Sequence, residues 1–544
     1  MCVRRLQGDK VMKNDEETVS VAESVQSHDA CAGQCGTEYD AHKGGYKVTV
    51  RIKVPKGTRL LDDVMELVEA QGGHIGGIVA GAKTDANVNV RDIMLIVKDS
   101  THADELVDKI KQLGQVEVVN ASDRTFLMHL GGKISVAPSR AINSLDDLSM
   151  IYTPGVARVC RAIFEDPRKA RTLTIKGKAL AVLTDGSRVL SLGNIGPLAA
   201  MPVMEGKAAL FKRFGNVDGF PMCLDINTDP LVALIKHFYP DFDGSPKDVQ
   251  EKLHTEMIIM VARAVAPNFG AINLEDIASP RCYEVEDRLH KELDIPVMHD
   301  DQHGTAIVVA AATKNAARLT KKRLSTMKVV VCGVGAAGMA CAEMLLSMGV
   351  KNLIGYNVSG PIHKGRTDLT EQERWLAEHS NPKNFTGTLE QALKGADMFL
   401  GLSVAGAIKP AWLATMKKNA ICFALANPIP EVLPREAKPY VSVMATGGSN
   451  YPNQINNALV FPGIFRGALD AHVHEITYEM QLEAAMALAA VVTKAELDYD
   501  KIIPSVFDEA AHKAVAGAVR RVAQRNKLGR YAEGAAPEPP ATEE

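Results

Sequence analysis

MKVVVCGVGAAG, running from Met327 to Gly338, is the stretch that decides the fold. Its first half, Met327–Cys332, reads as a continuous run of the kind a buried parallel strand requires. Gly333, Gly335 and Gly338 follow at once in G-x-G-x-x-G spacing, with Ala336 and Ala337 between them, and a helical pattern continues to Met348. Strand, glycine turn and helix in this order let the backbone approach a pyrophosphate, while the helix N-terminus offers N–H groups and a favourable dipole. The residues point to a dinucleotide site, against the alternative of a bare structural turn. The next strand, Asn352–Tyr356, ends at Asn357, about 20 residues past Gly338, where an NAD-selective site carries Asp or Glu for the ribose. Asn357 can bond a hydroxyl but does not repel a 2′-phosphate, and Lys364 and Arg366 stand close enough in sequence to meet one. The choice between NAD and NADP therefore stays open. Two further turns follow apolar runs, Leu400–Gly406 with Ser403 and Phe423–Pro428 with Asn427. Loops at the carboxyl ends of parallel strands are where ligands bind in such sheets.

Outward from this stretch, βαβ alternation over 321–470 begins at the basic linker Lys321-Lys322-Arg323 and marks a Rossmann-type, doubly wound nucleotide-binding domain. Residues 137–320 read as an α/β substrate domain, and 471–530 as C-terminal helices, with one long apolar-faced helix over Ala468–Thr493. Residues 46–136 form a separate α+β unit. Its strands are expected at Tyr46–Val54, His74–Ala80, Asp92–Val97 and Gly114–Val119, with helices at Leu60–Gln71 and His102–Leu113. That order, β-α-β-β-α-β, is ferredoxin-like. Residues 1–45 and 531–544 lack any hydrophobic period and are expected to be disordered tails. A chain of 544 residues has room for about three domains.

Composition excludes several partners. A net charge of −3 without a basic block argues against nucleic acid. No apolar run approaches the roughly 18–20 residues that span a membrane. The N-terminus has no apolar core after its basic residues and carries acidic ones, so neither a secretory signal nor a transit peptide is expected. The nine cysteines are scattered, and most lie in apolar runs, which fits a reducing cytoplasm. Cys31 and Cys35 lie close together without a His or further Cys to complete a metal site.

Upstream of the nucleotide domain, Glu275-Asp276 and Asp300-Asp301 each follow a short apolar run, where a buried strand gives way to a loop. Carboxylates gathered at strand ends repel one another unless a cation neutralises them, and Mg²⁺ or Mn²⁺ is the natural partner. Solvated loop acids, or caps for a helix starting near Gly304, are the alternative. Lys207, in Val203-Met204-Glu205-Gly206-Lys207, is in a partly apolar setting that suits a base. Tyr152, in Tyr152–Ala157, can donate a proton where its phenolate is stabilised.

Two resemblances add to this reading. The Val54-Pro55-Lys56-Gly57 turn and the Ala70-Gln71-Gly72-Gly73-His74-Ile75 passage resemble the ACT regulatory domains, which implies effector binding or a structural, dimerising role. Residues 137–528 resemble malic enzyme. The motifs are Tyr152–Ala157, Thr184–Arg188 with Gly193–Gly196, Pro202–Lys207, Asn273–Asp276 with His299–Gly304, and Asn456-Asn457 before Phe461-Pro462-Gly463. The resemblance implies Glu275, Asp276 and Asp301 as metal ligands, Lys207 as general base with Asp300 beside it, and Tyr152 as general acid. Arg188 would hold a substrate carboxylate, and Asn427 and Asn457 would line the malate and nicotinamide site. His299 and His303 flank the Asp pair, as hydrogen-bonding neighbours or, in the alternative, as metal ligands. The implied activity is oxidative decarboxylation of L-malate to pyruvate by a homo-oligomer, dimer or tetramer. Malate oxidation without loss of CO₂, or a nucleotide-binding sensor with an inactive catalytic domain, are the competing readings.

Overall fold

The computed structural model describes residues 46–80, 88–190, 192–226, 246–449 and 451–529, with isolated positions 233 and 237. The expected tails, with Cys31 and Cys35, lie outside the described residues. The chain divides into two compact units, the smaller running to Val118.

The N-terminal sheet holds β1 (Tyr46–Pro55), β2 (His74–Ala80), β3 (Val88–Val97) and β4 (Glu117–Asp123) in the order β2-β3-β1-β4. Alternation in β1 buries Val48, Val50, Ile52 and Val54. Val64 and Val68 of the helix Leu60–Ala70 and Leu106 and Ile110 of the helix Ser100–Lys111 complete the core. A Cβ at Gly73 would lie 3.0 Å from both Leu106 and Val68, so glycine lets the chain pass close to the two helices without displacing their side chains. This is the ferredoxin-like order expected, with β4 starting three residues later than its sequence pattern.

The larger unit contains two sheets. In the first, β5 (Ala179–Thr184), β6 (Asp218–Cys223), β7 (Ala271–Leu274) and β8 (Val297–His299) lie parallel in the order β6-β5-β7-β8. Both β5 and β7 are fully buried, which explains their unbroken apolar character. The second sheet contains β9 (Lys328–Cys332), β10 (Asn352–Asn357), β11 (Gly360–Pro361), β12 (Met398–Gly401), β13 (Ile421–Ala424) and β14 (Val443–Thr446). Its order is β11-β10-β9-β12-β13-β14, parallel except for the short β11 edge. This is the Rossmann-type arrangement, reversing direction beside β9.

The long helix Asp300–Leu319, buried along most of its length, packs against Ala336–Ser347, the helix that follows β9. One expectation fails here. Ala468–Thr493 is two helices, Phe461–Asp470 and Tyr478–Val491, not one. His472 turns left-handed between them (φ +51°), and the Thr477 side chain accepts from Met480 N to start the second helix. Apolar composition on both sides hid the break.

Candidate active site

Three chain segments converge on Lys207. Its helix, Gly196–Gly215, packs across β6 and presents the ammonium inward. Nζ lies 2.6 Å from Asp300 Oδ2 and 2.8 Å from Glu275 Oε1. The Phe461 ring caps it, centroid 4.3 Å from Nζ. All three charged groups are buried. Burial alone would pull the Lys207 ammonium down, but Asp300, Glu275 and Asp301 together raise it well above its ordinary range.

Glu275 and Asp276 follow β7, and Asp300 and Asp301 form the first turn of their helix, so the dipole favours the latter pair. The helix begins at Asp300, four residues before Gly304, and neither Asp300 nor Asp301 caps it: the N-cap position is His299, without a side-chain cap. Glu275 Oε2 accepts from Asn273 Nδ2 at 2.9 Å. Asp276 is left-handed (φ +54°), its N–H donating to Asp301 Oδ2 at 2.8 Å and its carbonyl accepting from Arg188 N. Ligand oxygens of Glu275, Asp276 and Asp301 lie within 4.8 Å of one another. Burial, with the charge of Asp301, pushes the Asp276 carboxyl up to about 7. Burial likewise raises Glu275 and Asp300. Asp276 Oδ2 is buried without a partner. Crowded hard oxygens, an orphaned carboxylate atom and more negative charge than Lys207 can offset are what a divalent cation fits.

Behind these groups lies a residue that sequence reasoning missed. Glu286 accepts from His299 N (2.7 Å), Gln302 Nε2 (3.2 Å) and His303 Nε2 (3.0 Å). Despite its burial, His303 holds its carboxyl down at about 2. Neither ring nitrogen of His299 has a hydrogen-bond partner; Nε2 lies 3.8 Å from Asp301 Oδ2.

The other expected substrate residues are placed less uniformly. Asn457 lies against Gly304 and so beside Asp300. Arg188 is exposed, tied to the cluster through its backbone. Asn427, exposed after β13, lies beside Gly447. Tyr152 stands apart. It ends the helix Leu145–Ile151, is 67% exposed, and its hydroxyl bonds nothing among the described residues.

The glycine turn meets the backbone demands of a dinucleotide site. Gly333 is left-handed (φ +96°), and a Cβ there would strike the Leu402 carbonyl. A Cβ on Gly338 would strike the carbonyl of Gly333, whereas Gly335 faces open space. No side chain caps the Ala336 helix, which leaves its first N–H groups for an anion. Ser403 adjoins Gly333, its N–H donating to Glu431 Oε1 at 2.7 Å. Glu431, fully buried and also missed, accepts from Ala426 N as well and so ties the loops after β12 and β13 together. Ala336 packs against the core beneath the first sheet, bringing the turn near the carboxylates. Long-range contact, not spacing, defines Glu286 and Glu431, so only a signal from related sequences could have found them.

Fold and site together define a nucleotide-dependent α/β enzyme with a carboxylate and lysine centre. The family model for the malic enzyme N-terminal domain matches residues 131–290, that for the malic enzyme NAD-binding domain matches 302–524, and that for an ACT domain matches 42–120. A protein of Geobacillus stearothermophilus described as NAD-dependent malic enzyme is 48% identical over 89% of this chain and 95% of its own length. One of Bacillus subtilis, described as bifunctional malic/malolactic enzyme, is 43% identical over 73% and 92%. The crystal structure of an NAD-dependent malic enzyme from Thermotoga maritima is 42% identical with a TM-score of 0.66, covering 73% of this chain and 99% of that one. The chain belongs to the malic enzyme family and carries an ACT domain ahead of the catalytic part.

Proposed function

We propose that the chain oxidises L-malate at C2 and releases CO₂ to give pyruvate, with NAD or NADP as hydride acceptor and Mg²⁺ or Mn²⁺ at Glu275, Asp276 and Asp301. The observation that carries this reading is Lys207, buried between Asp300 and Glu275 beside the three-carboxylate cluster. Simple dehydrogenation requires no such cluster. When bound, the dinucleotide takes up the hydride, and the divalent ion withdraws charge from the new carbonyl.

Lys207 Nζ passes its own proton to Asp300 Oδ2, 2.6 Å away, and then receives the proton of the C2 hydroxyl. Arg188 reaches from the open rim to a substrate carboxylate, and Asn457 and Asn427 orient malate and the nicotinamide. Glu286 holds the His299–His303 turn and so aims Asp300 and Asp301. The division of labour follows the expected segments: 46–136 regulatory, 137–320 for substrate and metal, 321–470 for the nucleotide, and 471–530 as supporting helices.

Tyr152 completes the reading only across a subunit boundary. The helices Leu145–Ile151 and Val156–Glu165 bury no residue, and Leu145 (85%), Met150 (59%) and Phe164 (87%) stand exposed near it in sequence. Apolar surface on this scale marks a protein interface. A second copy of the chain covers it, and Tyr152 of one subunit protonates the product carbon in the other. The ACT domain is the place for a small-molecule effector. No described helix is long and apolar enough to cross a membrane.

The test follows absorbance of the reduced nucleotide with L-malate and Mn²⁺, with NAD and NADP tried separately, and assays the product. Pyruvate formation that chelator and Lys207→Ala abolish is expected. Oxaloacetate without pyruvate would leave malate oxidation and remove decarboxylation. Nucleotide binding without turnover, even with candidate effectors, would favour the sensor reading.

A further inference from the structure

We infer that the adenosine pocket is built for a free ribose 2′-hydroxyl and disfavours a 2′-phosphate, so that this chain selects NAD over NADP. The inference rests on the reading of Gly333–Gly338 as the dinucleotide turn. In a Rossmann unit the side chain ending the second strand meets the adenosine ribose. Here that residue is Asn357, and Gly333 N and Val334 N both donate to the Tyr356 carbonyl, which holds the strand end against the turn.

The Asn357 amide is fixed from both sides. Its Nδ2 donates to Glu373 Oε1 at 2.7 Å, while its Oδ1 accepts from Arg366 Nη1 at 2.8 Å and from Ser359 N at 3.0 Å. Glu373 is itself buried and held by Thr370 N at 2.9 Å. A carboxylate therefore lies one hydrogen bond behind the ribose position. Its negative charge stands behind the Asn357 amide, whose remaining Nδ2–H is left to donate to a ribose oxygen.

Arg366, which its place in the sequence offered as a phosphate partner, is already committed. Its Nε and Nη2 fork onto Asp368 at 2.9 and 2.6 Å. Its Nη1 is shared among Asn357 and the carbonyls of Gly360 and Pro361. The guanidinium is thus divided between the Asp368 carboxylate and the amide that Glu373 holds. A phosphate dianion needs uncommitted cationic donors. Lys364 carries the uncommitted ammonium of this loop, but its backbone is anchored to Asn384 Oδ1 at 3.2 Å and no hydrogen bond joins it to Asn357 among the described residues.

Calorimetric titration of the full chain with ADP-ribose and with 2′-phospho-ADP-ribose separates recognition of the adenosine end from catalysis. ADP-ribose is expected to bind about 30-fold or more tightly than its 2′-phosphate, the scale of one uncompensated charge. Asp368→Asn releases Arg366 and narrows the gap about three- to tenfold. Asp368 is more than half exposed, so this variant keeps the fold. Glu373→Gln narrows the gap in the same direction, and Lys364→Ala leaves it unchanged. Equal or tighter binding of the phosphorylated fragment overturns the inference, as does a gap that survives both Asp368→Asn and Glu373→Gln. A Lys364→Ala variant that loses tight binding of the phosphate would overturn it too, and identify the true receptor. Failure of both fragments to bind would bring down the dinucleotide reading itself, whereas loss of pyruvate production alone would not touch the selectivity.

Discussion

Replacing Lys207 by Met tests whether the buried ammonium and the carboxylates form one charge system. The side chain keeps a similar length and its contact with Phe461, but the cation 2.6 Å from Asp300 and 2.8 Å from Glu275 disappears. Removing one partner of a buried pair costs about 3–5 kcal/mol, because the remaining charge is left uncompensated. Unfolding entropy runs near 2.1 cal/mol/K per residue, so a unit of roughly 400 residues gains about 0.8 kcal/mol/K and the loss becomes a fall of about 4–6 °C in Tm. Wild type and variant are compared by thermal unfolding at one scan rate, first in chelator and then with Mn²⁺. The ion supplies positive charge to the same carboxylates, so it should lift the variant more than the wild type and close most of the gap, without restoring malate turnover. A variant that unfolds within about 1 °C of the wild type in chelator would refute the buried pairing, given the cost above. Equal Mn²⁺ shifts in both proteins would refute the shared charge system.

Three further outcomes are expected. Tyr152→Phe and Lys207→Met should each be inactive alone, whereas co-expression should recover about a quarter of wild-type turnover, since half of randomly formed dimers pair the two and each holds one intact site. No recovery would place Tyr152 within its own subunit. Gly338→Ala forces a methyl group onto the Gly333 carbonyl. It should weaken reduced-nucleotide binding about tenfold or more, measured by fluorescence titration. Asp397, bonded by Lys322, Lys417 and the N–H of Lys328, anchors β9 and β12. Burial alone would raise its carboxyl, but those partners hold it below its ordinary value. Its contribution is therefore present above the unfolded value near 4 and lost as pH falls through the lower folded value. Asp397→Asn should cost about 2–3 kcal/mol by urea unfolding at pH 7, and the difference should vanish under acid.

What could be read in the sequence follows from how local each signal is. The glycine turn was legible because strand, φ-permissive glycines and helix are contiguous, and their steric reasons appear at Gly333 and Gly338. The acid pairs were legible because each is adjacent in sequence and ends a buried strand. Glu286 and Glu431 were not, because an isolated Glu in a helix or loop looks solvated until distant N–H groups converge on it. The setting of the basic pair Lys364 and Arg366 was not legible, since charge can be counted from sequence but the Asp368 fork on Arg366 cannot. Tyr152 was singled out as a possible proton donor and took its role from resemblance, and it is not among the contacts of the Lys207 side chain.

The exposed ledge bearing Tyr152 has a kinetic consequence. Under the proposed sharing of sites, a lone chain has a complete nucleotide turn and carboxylate cluster yet lacks its proton donor. Turnover per chain then ceases to be a constant: it declines on dilution below the dissociation constant of the pair and recovers with a lag on reconcentration. Any molecule that tightens the pairing would act as an activator without touching the catalytic groups.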